Sequence, residues 1–202
     1  MENTFRKEDL DDAARRLGIE TAAVKAVIDV ETGNRGGILP DGRAVILFEG
    51  HVFWRRLKLY GINPVDNFRG NADILHLEWT CRNYKGGAGE YERLERAMKI
   101  HRNAAWESAS WGVFQIMGFN YRKCGCADVA EFVERMGQGM KSQLELWVQF
   151  MKHEGLDECL KHRQWSLFAF RYNGRSYKAN RYDKRLKNAY EKYRKEASYE
   201  EH

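Results

Sequence analysis

Glu31 is the first side chain whose sequence surroundings suit acid–base chemistry. Helical periodicity places it on the same face as Val24, Val27 and Ile28, near the end of a helix predicted to stop at about Thr32. Apolar neighbours and the negative end of the helix dipole both disfavour a charged carboxylate, so both raise its pKa. A carboxyl group that stays protonated near neutral pH can act as a general acid. The alternative is an ordinary exposed glutamate at a frayed helix end.

A second segment with binding chemistry reads Ser-Trp-Gly-Val-Phe-Gln-Ile-Met-Gly, from Ser110 to Gly118. Gln115 is a single amide in an apolar stretch, and a buried glutamine must find hydrogen-bond partners or destabilise the fold. In a carbohydrate cleft, its amide would bond an N-acetyl group while Trp111 stacks on a sugar ring. Ser110, Trp111 and Gln115 are therefore candidate substrate-binding residues. The alternative is a tightly packed crossing of two helices.

The third segment is an apolar helix that ends in a polar pair. It runs from Phe168 to Gly174, and Tyr172 and Asn173 come directly before the glycine. Both side chains are placed to line a binding site at the end of the helix. The alternative is a helix closed by glycine whose last side chains only cap it.

The composition excludes several classes of protein. With 202 residues, of which 43% are hydrophobic and 13% aromatic, the chain is long enough for one compact domain and too aromatic for a disordered chain. The longest stretch without a charged side chain, Ser108 to Tyr121, has 14 residues, fewer than the roughly 20 needed to cross a bilayer. The polar N-terminus lacks the apolar core of a secretory signal peptide. A net charge of +5 permits an anionic partner without specifying one.

The four cysteines do not form a recognisable metal-binding pattern. Cys124 and Cys126 are separated by one residue, and Cys81 and Cys159 lie far from them. We interpret all four as free thiols in a reducing cytoplasm, and we predict no metal and no organic cofactor. Metal ligation by the close pair with help from histidines is the alternative.

The elements that must position these residues are mostly helices. One small β element is expected over Gly37 to Glu49, around the turn at Pro40 to Gly42, and Ser108 to Met117 is expected to be a short apolar helix or turn. Gly61 to Gly89 is expected to be a long loop or insertion. The predicted helices are Glu8 to Leu17, Thr21 to Thr32 with Thr21 as its N-cap, His51 to Tyr60, Tyr91 to Arg102, Asp128 to Arg135, Met140 to Lys152, Leu156 to Lys161, Gln164 to Tyr172 and Ala179 to Glu196. The predicted fold class is mainly α (α+β), with a small β element in the N-terminal third.

In this order, the three segments resemble the lysozyme-like superfamily, and most closely the N-acetylmuramidase domain of phage and bacterial endolysins. The resemblance spans positions 30 to 174, and its order and spacing make it more specific than any one block. Its blocks are Val30-Glu31, Leu39-Pro40-Asp41-Gly42-Arg43, Ile46-Leu47-Phe48-Glu49-Gly50-His51-Val52-Phe53, Ala109-Ser110-Trp111-Gly112, Phe114-Gln115-Ile116-Met117-Gly118, Asn120-Tyr121 and Tyr172-Asn173-Gly174.

The resemblance implies a lysozyme-like single domain over residues 1–202 that cleaves the β-1,4 bond between N-acetylmuramic acid and N-acetylglucosamine. It implies that Glu31 is the catalytic acid, that Gln115 and Tyr172 line the sugar cleft, and that Asn173 supports the cleft floor. Many family members carry a separate peptidoglycan-binding module before this domain, and we expect none here. Gly61 to Gly89 matches nothing in the family pattern.

Glycoside hydrolysis usually needs a second carboxylate, and two candidates follow Glu31. Glu49 comes after an apolar run and is the preferred residue for directing water. Asp41 lies in a tight turn, where it has a structural explanation because it can cap its own backbone. His51 would support Glu49 or contact substrate, and it is left outside the catalytic set. A lytic transglycosylase, which forms a 1,6-anhydro product, would need no second carboxylate.

The C-terminal part of the chain is basic. Arg175 to Lys195 holds nine lysines and arginines with tyrosines between them, which suits an amphipathic helix packed on the domain or attraction to anionic polymers of the cell envelope. No motif supports specific nucleic-acid binding. We expect a monomer that acts on the peptidoglycan glycan strand and stays in the host cytoplasm until it is released to the wall. The alternatives from other classes are a catalytically inactive wall-binding module and a basic nucleic-acid-binding protein.

Overall fold

The computed structural model describes residues 4–32, 36–174, 178 and 180–200, which are mainly helical with one small sheet, as predicted. No helix in these ranges is long and apolar enough to span a membrane. The helices are α1 (Lys7–Leu17), α2 (Thr21–Thr32), α3 (Gly50–Leu59), α4 (Gly89–Glu107), α5 (Val129–Gly137), α6 (Met140–His153), α7 (Leu156–Lys161), α8 (Trp165–Asn173) and α9 (Tyr182–Glu200). The strands are β1 (Ile46–Phe48), β2 (Ala109–Trp111) and β3 (Ile116–Met117), and 3-10 turns cover Pro64–Asn67 and Gly118–Cys124.

Each predicted helix is present, and the largest error in position is at the end of α4. The sequence predicts an end at Arg102, whereas the helix is assigned as far as Glu107. His101 has non-helical φ and ψ of −159° and 111°, so the element is kinked there. Because the kink rotates the apolar face, one period describes only the first part of the helix.

The prediction that Thr21 is the N-cap of α2 is wrong. Thr21 is already helical, and its hydroxyl donates to Asp11 Oδ1 at 2.8 Å. The first helical turn is closed by the carbonyl of Glu20, which accepts from the amide of Ala23 at 2.9 Å. The glycine end of α1 is as predicted, since Gly18 adopts the left-handed conformation with φ of +66°.

β2 is the central strand of the sheet and pairs antiparallel with both neighbours. Its residue Trp111 lies opposite Ile46 of β1 and Ile116 of β3. The prediction of a short helix or turn over Ser108 to Met117 is therefore correct only for the turn at residues 112–115, which joins two strands. Strands of three and two residues contain too few alternations to produce a strand period.

The predicted β element over Gly37 to Glu49 is confirmed, although not as a self-contained hairpin. It holds an isolated bridge between Ile38 and Ala44, and then β1. β1 pairs with β2, which comes about sixty residues later, so the sheet joins the N-terminal third to the middle of the chain.

α6 lies at the centre of the hydrophobic core. Its Trp147 is fully buried and stacks on Phe114, with ring centroids 4.7 Å apart and an interplanar angle of 10°. α9 packs along α2, and Tyr190 of α9 donates to Glu20 Oε1 at 2.8 Å. The basic C-terminal helix is thus packed on the domain through its tyrosines, as one sequence interpretation proposes.

Gln143 is a buried amide that ties α6 to two loops. Its Oε1 accepts from the amide of Val113 at 2.9 Å, and its Nε2 donates to the carbonyls of Gly37 at 3.2 Å and Met136 at 3.0 Å. A Cβ at Gly37 or Gly112 would lie 2.5 or 2.6 Å from the same oxygen. Both loops therefore need glycine at these positions.

The segment 61–88 contains no regular element among the described residues apart from the first 3-10 turn, which agrees with the predicted loop. It is held by a buried ion pair at the start of α4. Arg93 Nη1 lies 2.7 Å from Glu90 Oε2, and both side chains are 0% exposed. A buried charge without its partner is strongly destabilising, so the two residues depend on each other.

The pair also satisfies backbone groups from three separate parts of the chain. Glu90 accepts from the amides of Phe48 at 3.0 Å, Lys85 at 2.6 Å and Gly86 at 3.1 Å. Arg93 donates to the carbonyls of Phe48 and Asp73, both at 2.9 Å. One ion pair therefore joins the end of β1 to two points of the 61–88 segment.

We predict that Glu90→Gln lowers the free energy of unfolding by about 3–5 kcal/mol, because the guanidinium of Arg93 would stay buried without a counter-charge. Urea denaturation of both proteins measures the change. The matched control is Glu92→Gln, which alters an exposed glutamate paired with Lys85 and should leave the unfolding free energy unchanged within error. Equal losses in the two variants would contradict this role of the buried pair.

Candidate active site

Glu31 lies at the end of α2, partly buried, with the fully buried Val24 and Val27 on its own helix. Burial raises its pKa from 4.5 to about 7. Asn173 donates to Glu31 Oε1 at 3.2 Å, and this bond lowers the pKa, as does the positive charge of Arg185. Desolvation outweighs both, so a large fraction of Glu31 is protonated at neutral pH.

Glu31 lines a cavity of about 270 Å³ between the helical core and the sheet. The opposite walls come from β1, from the loop after β2 and from the end of the 61–88 segment. The described lining residues are Glu31, Gly36, Val45, Ile46, Leu47, Gly86, Gly87, Gly112, Val113 and Gln115. Four of these ten are glycines, so backbone groups are accessible and a ligand can approach closely.

Gln115 is exposed and lines this cavity, and its role in binding a sugar stays a prediction. Its φ of +50° turns the side chain out of the apolar segment. Ser110 Oγ donates to Gln115 Oε1 at 2.8 Å, and Gln115 Nε2 donates to the carbonyl of Gly112 at 2.8 Å. Ser110 is itself buried, so its hydroxyl orients this amide rather than facing the cavity.

The stacking role predicted for Trp111 does not hold. Its side chain is 3% exposed, and its Nε1 donates to the carbonyl of Trp106 at 3.0 Å. Because it lies in the central strand with neighbours on both sides, the ring packs into the core and offers no face to a sugar.

Tyr172 and Asn173 are the last residues of α8, and they have different surroundings. Asn173 contacts Glu31, as described, which fits the support role that the resemblance implies. Tyr172 is half-buried, stacks on Phe168 with centroids 5.3 Å apart, and donates to the carbonyl of Phe114 at 3.4 Å. Burial and the neighbouring Glu31 raise the pKa of Tyr172, so its hydroxyl keeps its proton. Tyr172 is not among the described residues that line the cavity.

Glu49 is not among the described residues that line the cavity, but it comes two residues after Leu47, which does. It follows β1, where side chains alternate, so it is on the same face as the cavity-lining Leu47. Tyr84 donates to Glu49 Oε2 at 2.8 Å, and His51 Nδ1 lies 3.3 Å from the same oxygen. Burial lowers the pKa of His51 more than the carboxylate raises it.

Asp41 lies outside the described cavity lining. Its carboxylate accepts from Arg43 Nε at 2.9 Å, from Nη2 at 2.7 Å and from the Arg43 amide at 3.1 Å. These contacts hold the pKa of Asp41 below its usual value. The geometry matches the structural explanation given for an aspartate in a tight turn.

The cysteines have the character of structural thiols. Cys124, Cys126 and Cys159 are buried, and Cys81 is exposed. Burial raises the pKa of Cys124 to about 12, which disfavours the thiolate that a metal would need. Within the part of the chain that the structure describes, no three residues of the metal-binding types are grouped to hold an ion.

A family model described as N-acetylmuramidase matches residues 20–194. The chain belongs to the N-acetylmuramidase family. This muramidase is similar to the crystal structure of Burkholderia AP3 phage endolysin, with a TM-score of 0.88 and 37% identity over 96% of this chain and 73% of that one. A search of curated proteins gives no match. The muramidase is therefore a glycoside hydrolase of peptidoglycan with a lysozyme-like fold.

Sequence reasoning missed the contribution of the 61–88 segment to the muramidase cavity. Gly86 and Gly87 form part of the lining and have φ of +70° and +51°, and Tyr84 contacts Glu49. The two adjacent glycines were the available signal, because such pairs mark places where backbone adopts unusual angles or approaches a ligand.

We predict that Glu31→Gln raises the melting temperature at pH 8 and leaves it nearly unchanged at pH 4.5. A folded-state pKa of about 7 lies above the unfolded value of 4.5, so the folded protein holds this proton more tightly. The stability due to Glu31 is complete below pH 4.5 and is lost as the pH rises through 7, when a desolvated charge forms.

Scanning calorimetry of both proteins at the two pH values measures this difference. The control is Glu92→Gln, whose carboxylate is exposed and whose pKa is lowered by Lys85, so it must not show the same increase at pH 8. A difference for Glu31→Gln that is independent of pH would contradict the raised pKa.

Proposed function

We propose that this muramidase cleaves the β-1,4 bond between N-acetylmuramic acid and N-acetylglucosamine, with Glu31 as the general acid. The observation that supports this role is a partly buried, readily protonated carboxyl group on the wall of a glycine-lined cavity. Glu31 would give its proton to the glycosidic oxygen while positive charge develops on the sugar ring. Asn173 then stabilises the carboxylate that remains, because its amide already donates to Oε1.

Gln115 is the group best placed to orient the saccharide. It is exposed on the cavity wall, and its amide is held by Ser110 and Gly112. A preoriented amide loses little conformational entropy when it binds an N-acetyl group. Asn173 would support the floor from α8, as the resemblance implies, and Tyr172, to which the resemblance gives a place in the sugar cleft, would act from the same helix. Trp111 would support the site by packing within the sheet and would not contact the substrate.

Glu49 remains the preferred second carboxylate in this proposal. It continues the cavity-facing side of β1, and Tyr84 fixes its Oε2. In a retaining enzyme the two carboxyl groups lie about 5 Å apart, and an inverting enzyme separates them by about 6.5–9.5 Å to admit water. Asp41 is the weaker candidate, because Arg43 already occupies its carboxylate.

A lytic transglycosylase is the second candidate function, and one observation favours it. Among the described residues that line the cavity, Glu31 is the only acid. In that reaction the muramic 6-hydroxyl attacks C1 in place of water, and the product is a 1,6-anhydro sugar. Glu31 would serve as the acid in both reactions.

We also propose that the protein works as a phage or prophage endolysin, as a monomer, kept in the host cytoplasm until it reaches the wall. The similarity to Burkholderia AP3 phage endolysin supports this setting. α9 supports attraction to anionic envelope polymers, since many of its basic residues are exposed, Lys184, Lys187 and Lys195 among them. No feature supports specific recognition of nucleic acid.

Mass spectrometry of the soluble products from purified peptidoglycan tests the reaction. We expect fragments that end in reducing muramic acid from the wild type and none from Glu31→Gln. Anhydro-muramic ends that disappear in the variant would keep the site and change the reaction to transglycosylation. Products that persist in the variant would refute the assignment of Glu31, and the absence of products from both would favour a wall-binding module.

We expect kcat to fall as the pH rises above about 7, by roughly tenfold per pH unit well above the pKa, because the general acid is then deprotonated. Asn173→Ala should move this decrease to higher pH, since the amide of Asn173 lowers the pKa of Glu31. Initial rates on cell-wall suspensions from pH 5 to 9 provide the test. Asn180→Ala, an exposed asparagine before α9, is the control. A decrease that stays at the same pH in Asn173→Ala would contradict the contact.

A further inference from the structure

Trp79 is exposed in a way that the other tryptophans are not. All six tryptophans lie in the described part of the chain, and Trp79 is 65% exposed whereas Trp111 and Trp147 are 3% and 0% exposed. An indole is the largest apolar side chain, and leaving it in water forgoes the free energy that its burial would give. An exposed indole offers a flat π face on which a ligand ring can stack.

Trp79 is connected to the site through Tyr84. The indole of Trp79 lies close enough to the Tyr84 hydroxyl to oppose the rise in its pKa that burial causes, and Tyr84 donates to Glu49 Oε2 at 2.8 Å. The part of the 61–88 segment that precedes Trp79 is anchored by Ile74 and Leu75, which are fully buried. The segment that carries the ring is therefore anchored to the core four residues before it, which limits the backbone entropy lost if a ligand covers the ring.

Trp79 also belongs to the segment that forms one wall of the cavity. Gly86 and Gly87 form one cavity wall, and Tyr84 precedes them by two residues. The cavity measures about 270 Å³, whereas typical ligand pockets measure roughly 300–1,000 Å³. A long glycan strand must therefore extend over the surface around the cavity, and the 61–88 segment carries an exposed indole.

We propose that Trp79 is a stacking platform for a pyranose ring of the glycan strand, in a subsite beyond the cavity. A pyranose ring has one face of C–H groups with partial positive charge, which is complementary to the negative π face of an indole. Stacking needs an exposed aromatic ring. Trp79 provides such a ring, whereas the ring of Trp111 is buried. The inference rests on the proposed function, because it takes the glycan strand as ligand.

Binding of peptide-free glycan strands to the Glu31→Gln protein tests the platform without cleavage. Fluorescence polarisation with end-labelled strands gives the affinity of this parent and of three further variants. We expect Trp79→Ala to weaken binding by roughly threefold to tenfold and Trp79→Phe, which keeps a ring, to retain most of the affinity. The matched control is Leu77→Ala, two residues away and equally exposed at 67%, which should bind like the parent.

A spectroscopic signature separates stacking from a general effect on the fold. Glycan binding should change the tryptophan emission of the parent, and this change should vanish in Trp79→Phe while binding persists. The inference is overturned if the emission change remains in Trp79→Phe. It is also overturned if Trp79→Ala binds like the parent, if Trp79→Phe loses as much affinity as Trp79→Ala, or if Leu77→Ala loses as much.

Product analysis of the wild type keeps this inference distinguishable from the proposed function. If the wild type releases products that end in muramic acid and Trp79→Ala binds glycan normally, the proposed reaction stands and the stacking platform is overturned. Loss of affinity in Trp79→Ala without products from the wild type would uphold the platform and overturn the reaction. In the active protein we expect Trp79→Ala to raise KM for long strands with little change in kcat, because the subsite lies away from the cleaved bond.

Discussion

The cleft of this muramidase depends on the buried pair between Glu90 and Arg93. The 61–88 segment has almost no regular structure, so its own backbone bonds cannot fix it against the sheet. Five backbone groups of Phe48, Asp73, Lys85 and Gly86 are satisfied by these two side chains instead. A buried charge pair contributes little net stability compared with apolar packing, yet its directional bonds specify one arrangement of the chains around it. Here that arrangement is one wall of the cavity.

On the opposite wall of the cavity, desolvation determines the protonation of the acid. α2 ends where its apolar face meets the cavity, and the last turn carries Glu31 in surroundings that favour the neutral carboxyl group. Asn173 and Arg185 reduce this effect without reversing it. The Glu90–Arg93 pair therefore fixes the shape of one wall, and burial determines the protonation state of Glu31 on the other.

The parts of the structure that could be predicted from sequence are those controlled by local pattern. The helices follow from apolar periodicity, and Glu31 was recognised because its position on an apolar face has chemical consequences. The strands β2 and β3 were missed, because their pairing with β1 is a long-range event that two or three residues cannot encode. Trp111 was expected to present its ring to a sugar and is buried, since residue type alone does not show which way a strand side chain points. Tyr84 and Trp79 lie in a segment without periodicity, where no pattern was available.

The amide of Gln143 has a consequence for how this cleft can vary. It joins the loops at Gly37 and Val113 to one helix, and neither Gly37 nor Gly112 has room for a Cβ. A side chain added at Gly37 or Gly112 must therefore displace Gln143 and with it the α6 helix that carries the stacked Trp147. The exposed residues of the 61–88 segment can change without repacking the core. Substitutions that alter contacts with the glycan are therefore accommodated more easily on the 61–88 wall than at these two glycines.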